Sequence, residues 1–327
     1  MKKKLFALAA TAGIVAGSSL IWAAPASADI VSRCVGEAGA VTVPGDLVIP
    51  AGKACTLTGT TIQGDVRVAR GADLVATDIT VEGDVIGQEN SYAELTDSEV
   101  TGQLNLRTAF GTYLDGTEIG GNLVTRGTDE IAGGSVLTAD TTVGGNVVSN
   151  GGEVLLETSD VAGNVNSNGS YYTDLYETWV DGTVTVRGNE LGSINCAVVV
   201  QGRALFADNA GPVQLGSDGP ETSCEGTSYW GANVTASGNT GGVTVDNNIV
   251  NGNVALNGND PVATVGENNV VRGQVRGDFE ESAPATAARR MAVAEAPQTR
   301  ADALQKKFEE RTGSAEAEAE KAGAAKL

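Results

Sequence analysis

The fold is decided by a short motif that the chain repeats: TIQGDVRV at residues 61–68, TVEGDVIG at residues 80–87 and EVTGQLNL at residues 99–106. Each copy has a β-branched residue two positions before its glycine and an aliphatic residue two positions after it. The first four steps between motif glycines are 19 residues each, and the later steps are 24, 18, 19, 20, 50 and 21. The motif glycines are Gly45, Gly64, Gly83, Gly102, Gly121, Gly145, Gly163, Gly182, Gly202, Gly252 and Gly273.

A regular period near 20 residues is typical of a solenoid in which one repeat forms one coil. We predict an all-β fold, a single-stranded parallel β-helix that is right-handed and has about 12 coils of 18–24 residues. A helical fold does not fit, because each motif glycine would destabilise a helix by about 1 kcal/mol. An antiparallel sandwich is the alternative, but it does not explain why all repeats share one register. The 50-residue gap holds one degenerate copy near Asn233.

The residue two positions before each glycine is predicted to face the interior and to stack on its equivalents, because side chains alternate between the faces of a strand. Near the end of the rod, Asn247-Asn248 and Asn268-Asn269 recur 21 residues apart and predict a ladder of stacked amides. The interior row consists of Val43, Ile62, Val81, Val100, Ile119, Val143, Val161, Val180, Val200, Val250 and Val271.

The two ends of the chain differ from the repeat region at residues 29–277. Residues 1–28 have a lysine-rich start, an apolar stretch and the site Ala26-Ser27-Ala28, the pattern of a signal peptide. Residues 278–298 form an Ala/Pro-rich linker, and residues 299–327 form a charged tail with a short helix that presents Leu304 and Phe308 on one face. That tail either caps the open end of the solenoid or stays solvated.

Charge and export narrow the range of partners. Without the leader, the chain has 18 basic and 41 acidic residues, a net charge of −23. Such a charge repels nucleic acid and anionic lipid, so neither is an expected partner. No apolar stretch after the leader is long enough to span a membrane. We therefore expect a secreted or envelope-associated protein.

Four cysteines in an exported chain indicate two structural disulfides. Their neighbours in sequence suggest Cys34–Cys55 and Cys196–Cys224, although four cysteines allow three pairings. Histidine is absent, which excludes a Ser-His-Asp or Cys-His arrangement. The same absence, with no C-x-x-C spacing, argues against a zinc site.

Three groups of residues are candidates for ligand or catalytic sites. Asp46, Asp65 and Asp84 directly follow successive motif glycines, so they are expected to stack on the outer face, where a calcium ion could lie between them. Arg67 on the same face fits a polysaccharide lyase. Glycosidases use a carboxylate pair, and the candidates are Asp174 with Glu177, or Asp208. We predict no catalytic residue, and no cofactor other than calcium.

Aromatic residues are concentrated in one coil, which contains Tyr171, Tyr172, Tyr176 and Trp179. Tyr172 and Trp179 are the candidates for stacking on sugar rings. The alternative is that these rings shield the backbone of their own coil.

The motif and its period over residues 43–277 resemble those of the bactofilins, which are right-handed β-helix proteins that polymerise end to end. The opening VPGDLVIPAGKACTLTGTTIQGDVRV at residues 43–68 is similar to a group of exported actinobacterial repeat proteins. These resemblances imply a β-solenoid and end-to-end self-association, and they supply no catalytic residues. We predict a secreted, non-enzymatic structural, adhesive or envelope module. The alternative is a carbohydrate-binding or polysaccharide-cleaving β-helix.

Overall fold

The computed structural model describes residues 31–127, 134–217, 219–223, 225–281 and 299–327. Within these residues the chain winds into a parallel β-helix of about 13 coils, followed by one α-helix. Each complete coil gives one short strand to each of three sheets, here called A, B and C. The predicted parallel β-helix is confirmed. One coil more than expected is present because residues before the first motif glycine already form strands.

The strands of each sheet pair in parallel with their equivalents one coil away. Sheet A contains Val31–Arg33, Asp46–Ile49, Val66–Val68, Val85–Gly87, Leu104–Arg107, Leu123–Arg126, Val147–Asn150, Val165–Asn168, Val184–Arg187, Ala204–Ala207, Val234–Ser237, Val254–Asn257 and Val275–Gly277. Sheet B contains Gly36–Ala38, Ala54–Thr58, Asp73–Thr77, Tyr92–Thr96, Gly111–Asp115, Ser135–Ala139, Glu153–Glu157, Tyr172–Tyr176, Ser193–Cys196, Val213–Leu215, Val243–Val245, Ala263–Val265 and Phe279–Glu281. Sheet C contains Thr42–Val43, Thr61–Ile62, Thr80–Val81, Glu99–Val100, Glu118–Ile119, Thr142–Val143, Asp160–Val161, Trp179–Val180, Val199–Val200, Ser228–Trp230, Asn248–Val250 and Val270–Val271.

The hydrophobic core runs along the axis of the rod. The interior row predicted from the motif is buried from Val43 to Val250, and only Val271, in the last coil, is half-buried. In the irregular coil the same row is occupied by Trp230, which lies in register between Val200 and Val250. The degenerate repeat near Asn233 is therefore a regular coil with an insertion between its strands in sheets B and C.

The motif glycine lies at the corner between sheets C and A. The alternation of the motif would place it within a strand, and this is wrong, because Gln63 and Gly64 form a bend between the two strands. A Cβ atom on Gly64 would lie 2.5 Å from the Oδ1 atom of Asp46 in the previous coil, and one on Gly102 would lie 2.3 Å from the Oδ1 atom of Asp84. The glycine recurs because the backbone of each coil passes this close to the side chain of the coil before it.

Buried polar side chains form ladders inside the rod. The predicted amide ladder is present, since the side chain of Asn248 donates to the Oδ1 atom of Asn269 at 2.9 Å. A second ladder was not predicted and joins fully or nearly fully buried asparagines. Its members are Asn189, Asn209, Asn239 and Asn259. Because each amide is satisfied by the coils beside it, these polar groups can be buried without a large desolvation penalty.

The C-terminal helix, α1, spans Thr299–Ala322, which is 24 residues. It lies along the outer face of sheet B, with Leu304 and Phe308 buried against Tyr92, Leu137, Leu155 and Tyr172. Farther along, Ala315 and Ala319 pack on Ala54 and Val75. The predicted helix in the tail is present and is longer than expected, but it lies along sheet B rather than over the open end of the rod. Seven coils of sheet B, from Ala54–Thr58 to Tyr172–Tyr176, offer a longer apolar surface than one end of the rod does.

The disulfide Cys34–Cys55 is confirmed. Cys196 is also disulfide-bonded, whereas Cys224 lies outside the described residues. The predicted signal peptide and most of the linker lie outside them as well, and the last strand carries the solenoid on to Glu281. The described part of the chain contains no helix long and apolar enough to cross a membrane.

Candidate functional site

The candidate calcium ligands lie at the corner between sheets C and A, in successive coils. The Oδ1 atom of Asp46 accepts the backbone N–H of Asp65 at 3.0 Å, and Asp65 accepts that of Asp84 at 3.0 Å. Asp84 in turn accepts the N–H of Gln103 at 2.9 Å. Farther along the rod asparagine does the same, with acceptor distances of 2.8–3.0 Å. The asparagines are Asn122, Asn146, Asn164, Asn233 and Asn253.

The second oxygens of these carboxylates also have partners. The Arg67 guanidinium lies 3.4 Å from the Oδ2 atom of Asp46 and 3.9 Å from that of Asp65. The Gln103 side chain donates to the Oδ2 atom of Asp84 at 3.3 Å. Among the described residues no cluster of three or more acidic or cysteine side chains has the arrangement of a metal site. Calcium binding here stays a prediction, and Arg67 has the local role of neutralising two stacked carboxylates.

The carboxylates proposed for glycoside hydrolysis lie in different environments. Asp174 is fully buried on sheet B, where its Oδ1 atom accepts the N–H of Ile194 and pairs with Arg300. Glu177 and Asp208 are exposed and lie at corners, with φ angles of 48° and 57°. Asp174 is therefore covered by the helix while the other two face solvent, and the arrangement presents no open groove with a carboxylate on each side.

The aromatic pair proposed for sugar stacking is separated by the fold. Tyr172 is on sheet B and is 1% exposed, because Arg300 covers its ring at 4.8 Å from the centroid. Its hydroxyl donates to the carbonyl of Arg300 at 3.2 Å. Trp179 is on sheet C and is 43% exposed, with its ring N–H donating to Asp181 at 2.7 Å. Of the two, only Trp179 presents its ring to solvent.

The face of sheet B under α1 is the region where the chain brings most side-chain chemistry together. We call it the clasped face. The Phe308 ring stacks on Tyr92 with centroids 5.5 Å apart, and Phe110 meets both rings edge-on at 5.9 Å. A Cβ atom on Gly111 would lie 2.7 Å from the Phe308 ring, so the missing side chain there makes room for the ring. The surface of sheet B is therefore complementary in shape to α1 at this point.

Three ion pairs fix the helix along the clasped face. Arg300 pairs with Asp174 at 2.7 Å, Lys307 with Glu153 at 2.8 Å and Arg311 with Asp73 at 2.7 Å. Lys307 and Arg311 also lie over the Phe110 ring, at 5.3 and 5.1 Å from its centroid. The basic side chains of the helix thus neutralise acidic residues that face outward from three different coils.

Burial changes the acid–base behaviour of the clasped face. It raises the pKa of Asp174 to about 6, although Arg300 opposes the shift. Burial likewise raises the pKa of Asp73 against the opposing effect of Arg311. The pKa of Tyr113 rises to about 12 by burial and by the neighbouring Asp115 carboxylate. The pKa values of Asp73 and Asp174 are raised because α1 covers both carboxylates and excludes water from them.

A small cavity of about 250 Å³ remains between α1 and sheet B. Glu94 and Tyr113 line it from the sheet, and Glu309, Thr312 and Glu316 line it from the helix. Glu94 is hydrogen-bonded to both the sheet and the helix, because it accepts hydrogen bonds from Tyr92 at 2.7 Å and from Thr312. The cavity belongs to the interface between helix and sheet.

The chain ends by returning to the first coil. After α1, the N–H of Glu37 donates to the Gly323 carbonyl at 2.9 Å, and the N–H of Ala325 donates to the Glu37 carbonyl at 2.8 Å. This parallel bridge extends sheet B by one partner at its N-terminal edge, and Ala325 packs against the core. Backbone groups that an edge strand would otherwise leave free are satisfied within the same molecule.

Sequence analysis did not find the clasped face. A signal was present, however, because residues that face outward from sheet B in successive coils include Tyr92, Tyr113, Leu137 and Leu155. A solvent-facing row would be polar, so large apolar residues at outward positions indicate that another element covers them.

Comparison with known proteins adds no further assignment: no protein-family model, no curated protein and no solved structure matches the chain. No match therefore supports the resemblance to bactofilins or to exported actinobacterial repeat proteins, which rests on the coil motif and its period alone.

Proposed function

We propose that the chain is exported and acts outside the cytoplasm as a rigid, non-enzymatic rod with a structural or adhesive role in the cell envelope or at the surface. The observation that carries this proposal is the ladder of Asp46, Asp65 and Asp84. Carboxylates on the outer face that would be available for catalysis are instead used as acceptors between coils.

Helix α1 on the clasped face, here called the clasp, supports the same conclusion. A helix that packs along one side of a solenoid, with three ion pairs and a buried aromatic cluster, restrains the coils beneath it from bending or separating. The disulfide Cys34–Cys55 reinforces the first two coils and is a bond that persists in an oxidising compartment. These features favour stiffness over an opening and closing active site.

Cleavage of polysaccharides is the less favoured function. Catalysis would need an acid and a base, or a metal and a base, converging on one groove. The candidates Asp174, Glu177 and Asp208 lie in a buried ion pair and at two exposed corners. No observation on these residues favours the enzymatic alternative.

Export and the absence of catalysis can be tested separately. Mass spectrometry of the protein recovered from the culture medium and from the envelope should find a mature N-terminus at Asp29. Recovery of the full-length chain in the cytoplasm alone would refute export. Calcium-dependent release of unsaturated sugars by the purified mature protein would refute the non-enzymatic assignment.

A further inference from the structure

The outward-facing row of sheet C changes character along the rod. In register from the first coil, it contains Thr42, Thr61, Thr80, Glu99, Glu118, Thr142 and Asp160, all polar. The row then continues with Trp179, Val199, Tyr229, Ile249 and Val270. We call these five residues the apolar stripe. Five successive coils thus carry an aromatic or aliphatic residue where the preceding seven do not.

The apolar stripe is open to solvent in the described structure. Trp179 is 43% exposed, Ile249 36% and Val270 59%, while Val199 and Tyr229 are half-buried. The clasp does not reach it, because α1 lies on sheet B. An exposed, continuous apolar surface on an acidic chain that is otherwise polar along this row is a sign of a binding surface.

Polar groups accompany the stripe on both sides. One side carries Asp181, Gln201, Asn251 and Arg272, and the other carries Thr227 and Asn247. Several are already oriented: Trp179 donates to Asp181, Asn251 donates to the Tyr229 hydroxyl, and Thr227 donates to Asn247 at 2.9 Å. A narrow apolar platform between hydrogen-bonding side chains suits a ligand that has both an apolar face and hydroxyl groups.

The dimensions of the stripe select the shape of that ligand. Four coil steps at about 4.8 Å make it about 19 Å long, and it is one residue wide. The two aromatic residues, Trp179 and Tyr229, are two coils apart, which is about 10 Å. This separation is close to the length of one disaccharide in an extended β-linked chain. Both rings could therefore meet sugar faces of the same chain.

We propose that the apolar stripe binds a single extended chain of a neutral polysaccharide, lying parallel to the axis of the rod. Sugar rings would pack their apolar faces on Trp179 and Tyr229, and their hydroxyls would bond to the polar groups on either side. The inference rests on the proposed function in one respect: an exported rod is one that meets such a polymer, and this contact would be its adhesive activity.

Charge and area argue against other occupants. The net charge of the chain is −20, and Glu177 and Asp181 lie beside Trp179, so an acidic polymer would be repelled. A second copy of the chain would need roughly 800 Å² per partner for a stable dimer, and a stripe one residue wide offers much less. A neutral polymer needs neither complementary charge nor a broad interface.

The test is affinity electrophoresis of the purified mature protein in native gels that contain a soluble neutral β-glucan, with polygalacturonate gels as the acidic comparison. We expect retardation in the neutral gel alone. The double variant Trp179→Ala/Tyr229→Ala should weaken binding at least tenfold, and Trp179→Phe should retain most of it. The matched control is Thr80→Ala/Thr142→Ala, which alters the polar half of the same row and should bind like the wild type.

Several results would overturn the inference. These are no retardation in a panel of neutral β-linked glucans and mannans, equal retardation of the stripe variant and the wild type, or stronger binding to polygalacturonate. A dimer in solution that Trp179→Ala dissociates would assign the stripe to a second copy instead. If the double variant does not fold, the exposed substitutions Ile249→Asp and Val270→Asp test the same surface. Export is measured independently at Asp29, so failure of glycan binding leaves that part of the proposed function standing.

Discussion

The docking of α1 depends on Phe308, and Phe308→Ala should release the clasp without unfolding the rod. The side chain is 1% exposed and packs against Tyr92 and Phe110. Removing a buried phenylalanine ring destabilises a packed site by about 3–5 kcal/mol. The solenoid has its own continuous core, in which Phe308 takes no part, so the loss should fall on helix docking alone.

Hydrogen exchange followed by mass spectrometry measures this loss directly. Since about 1.4 kcal/mol corresponds to a factor of ten, amides of α1 should exchange roughly 100-fold to several thousand-fold faster in Phe308→Ala. Amides of the interior strands, such as Val81 and Val100, should keep the protection that they have in the wild type. The matched control is Lys306→Ala, because Lys306 is on the exposed side of the same helix.

Two outcomes would refute this argument. If α1 stays equally protected in Phe308→Ala, the aromatic cluster does not hold the helix. If the interior strands lose protection together with α1, the helix and the solenoid unfold as one cooperative unit rather than as two separable parts.

Four further predictions follow from other parts of the molecule. Trp230→Ala should lower the free energy of unfolding by about 3–5 kcal/mol in urea titrations, since Trp230 fills the interior row and donates to Asn248 at 2.9 Å; a loss below about 1 kcal/mol would contradict its place in the core. Replacing both Cys34 and Cys55 by serine should lower it by about 3 kcal/mol under oxidising conditions, and an unchanged value would contradict this. Asp65→Asn keeps the acceptor for Asp84 and should change the midpoint of thermal unfolding little, whereas Asp65→Ala leaves that N–H unpaired and should cost about 1–3 kcal/mol; equal effects of the two would refute the acceptor role. Because burial raises the pKa of Asp174 to about 6 from its ordinary value of 3.8, the folded state binds the proton more tightly, and the wild type should lose stability relative to Asp174→Asn as the pH rises from about 4 to about 6; parallel pH profiles of the two proteins would refute this.

The solenoid could be predicted from sequence because its determinants are local and repeated. The interior row, the motif glycine and the Asp or Asn after it recur in almost every coil, so each copy is evidence for the others. The first coil was missed because residues 31–38 lack the motif, although their strands pair with Asp46–Ile49 and Ala54–Thr58 of the next coil.

The clasp could not be predicted in the same way. Arg300 meets a partner 126 residues earlier in the chain, and Arg311 meets one 238 residues earlier. No local pattern in α1 identifies those partners. The burial of Tyr172 depends on the same long-range contacts. Its ring is on the outer face of its strand, as an exposed aromatic would be, and becomes buried because α1 covers it with Arg300 and the apolar residues Ala301 and Leu304. Within the residues that the structure describes, no helix covers the sheet that carries Trp179, so its exposure followed from its strand alone.

The return of the chain to its first coil has a mechanical consequence. The described chain begins at Val31 and comes back to Glu37 through Gly323 and Ala325, so the two ends of the described chain lie at the same coil. A pulling force applied between the two ends would load the short bridge at Glu37 and then peel α1 from sheet B, one ion pair after another. Helix α1 would therefore act as an extensible element, which lengthens under load while the solenoid keeps its shape.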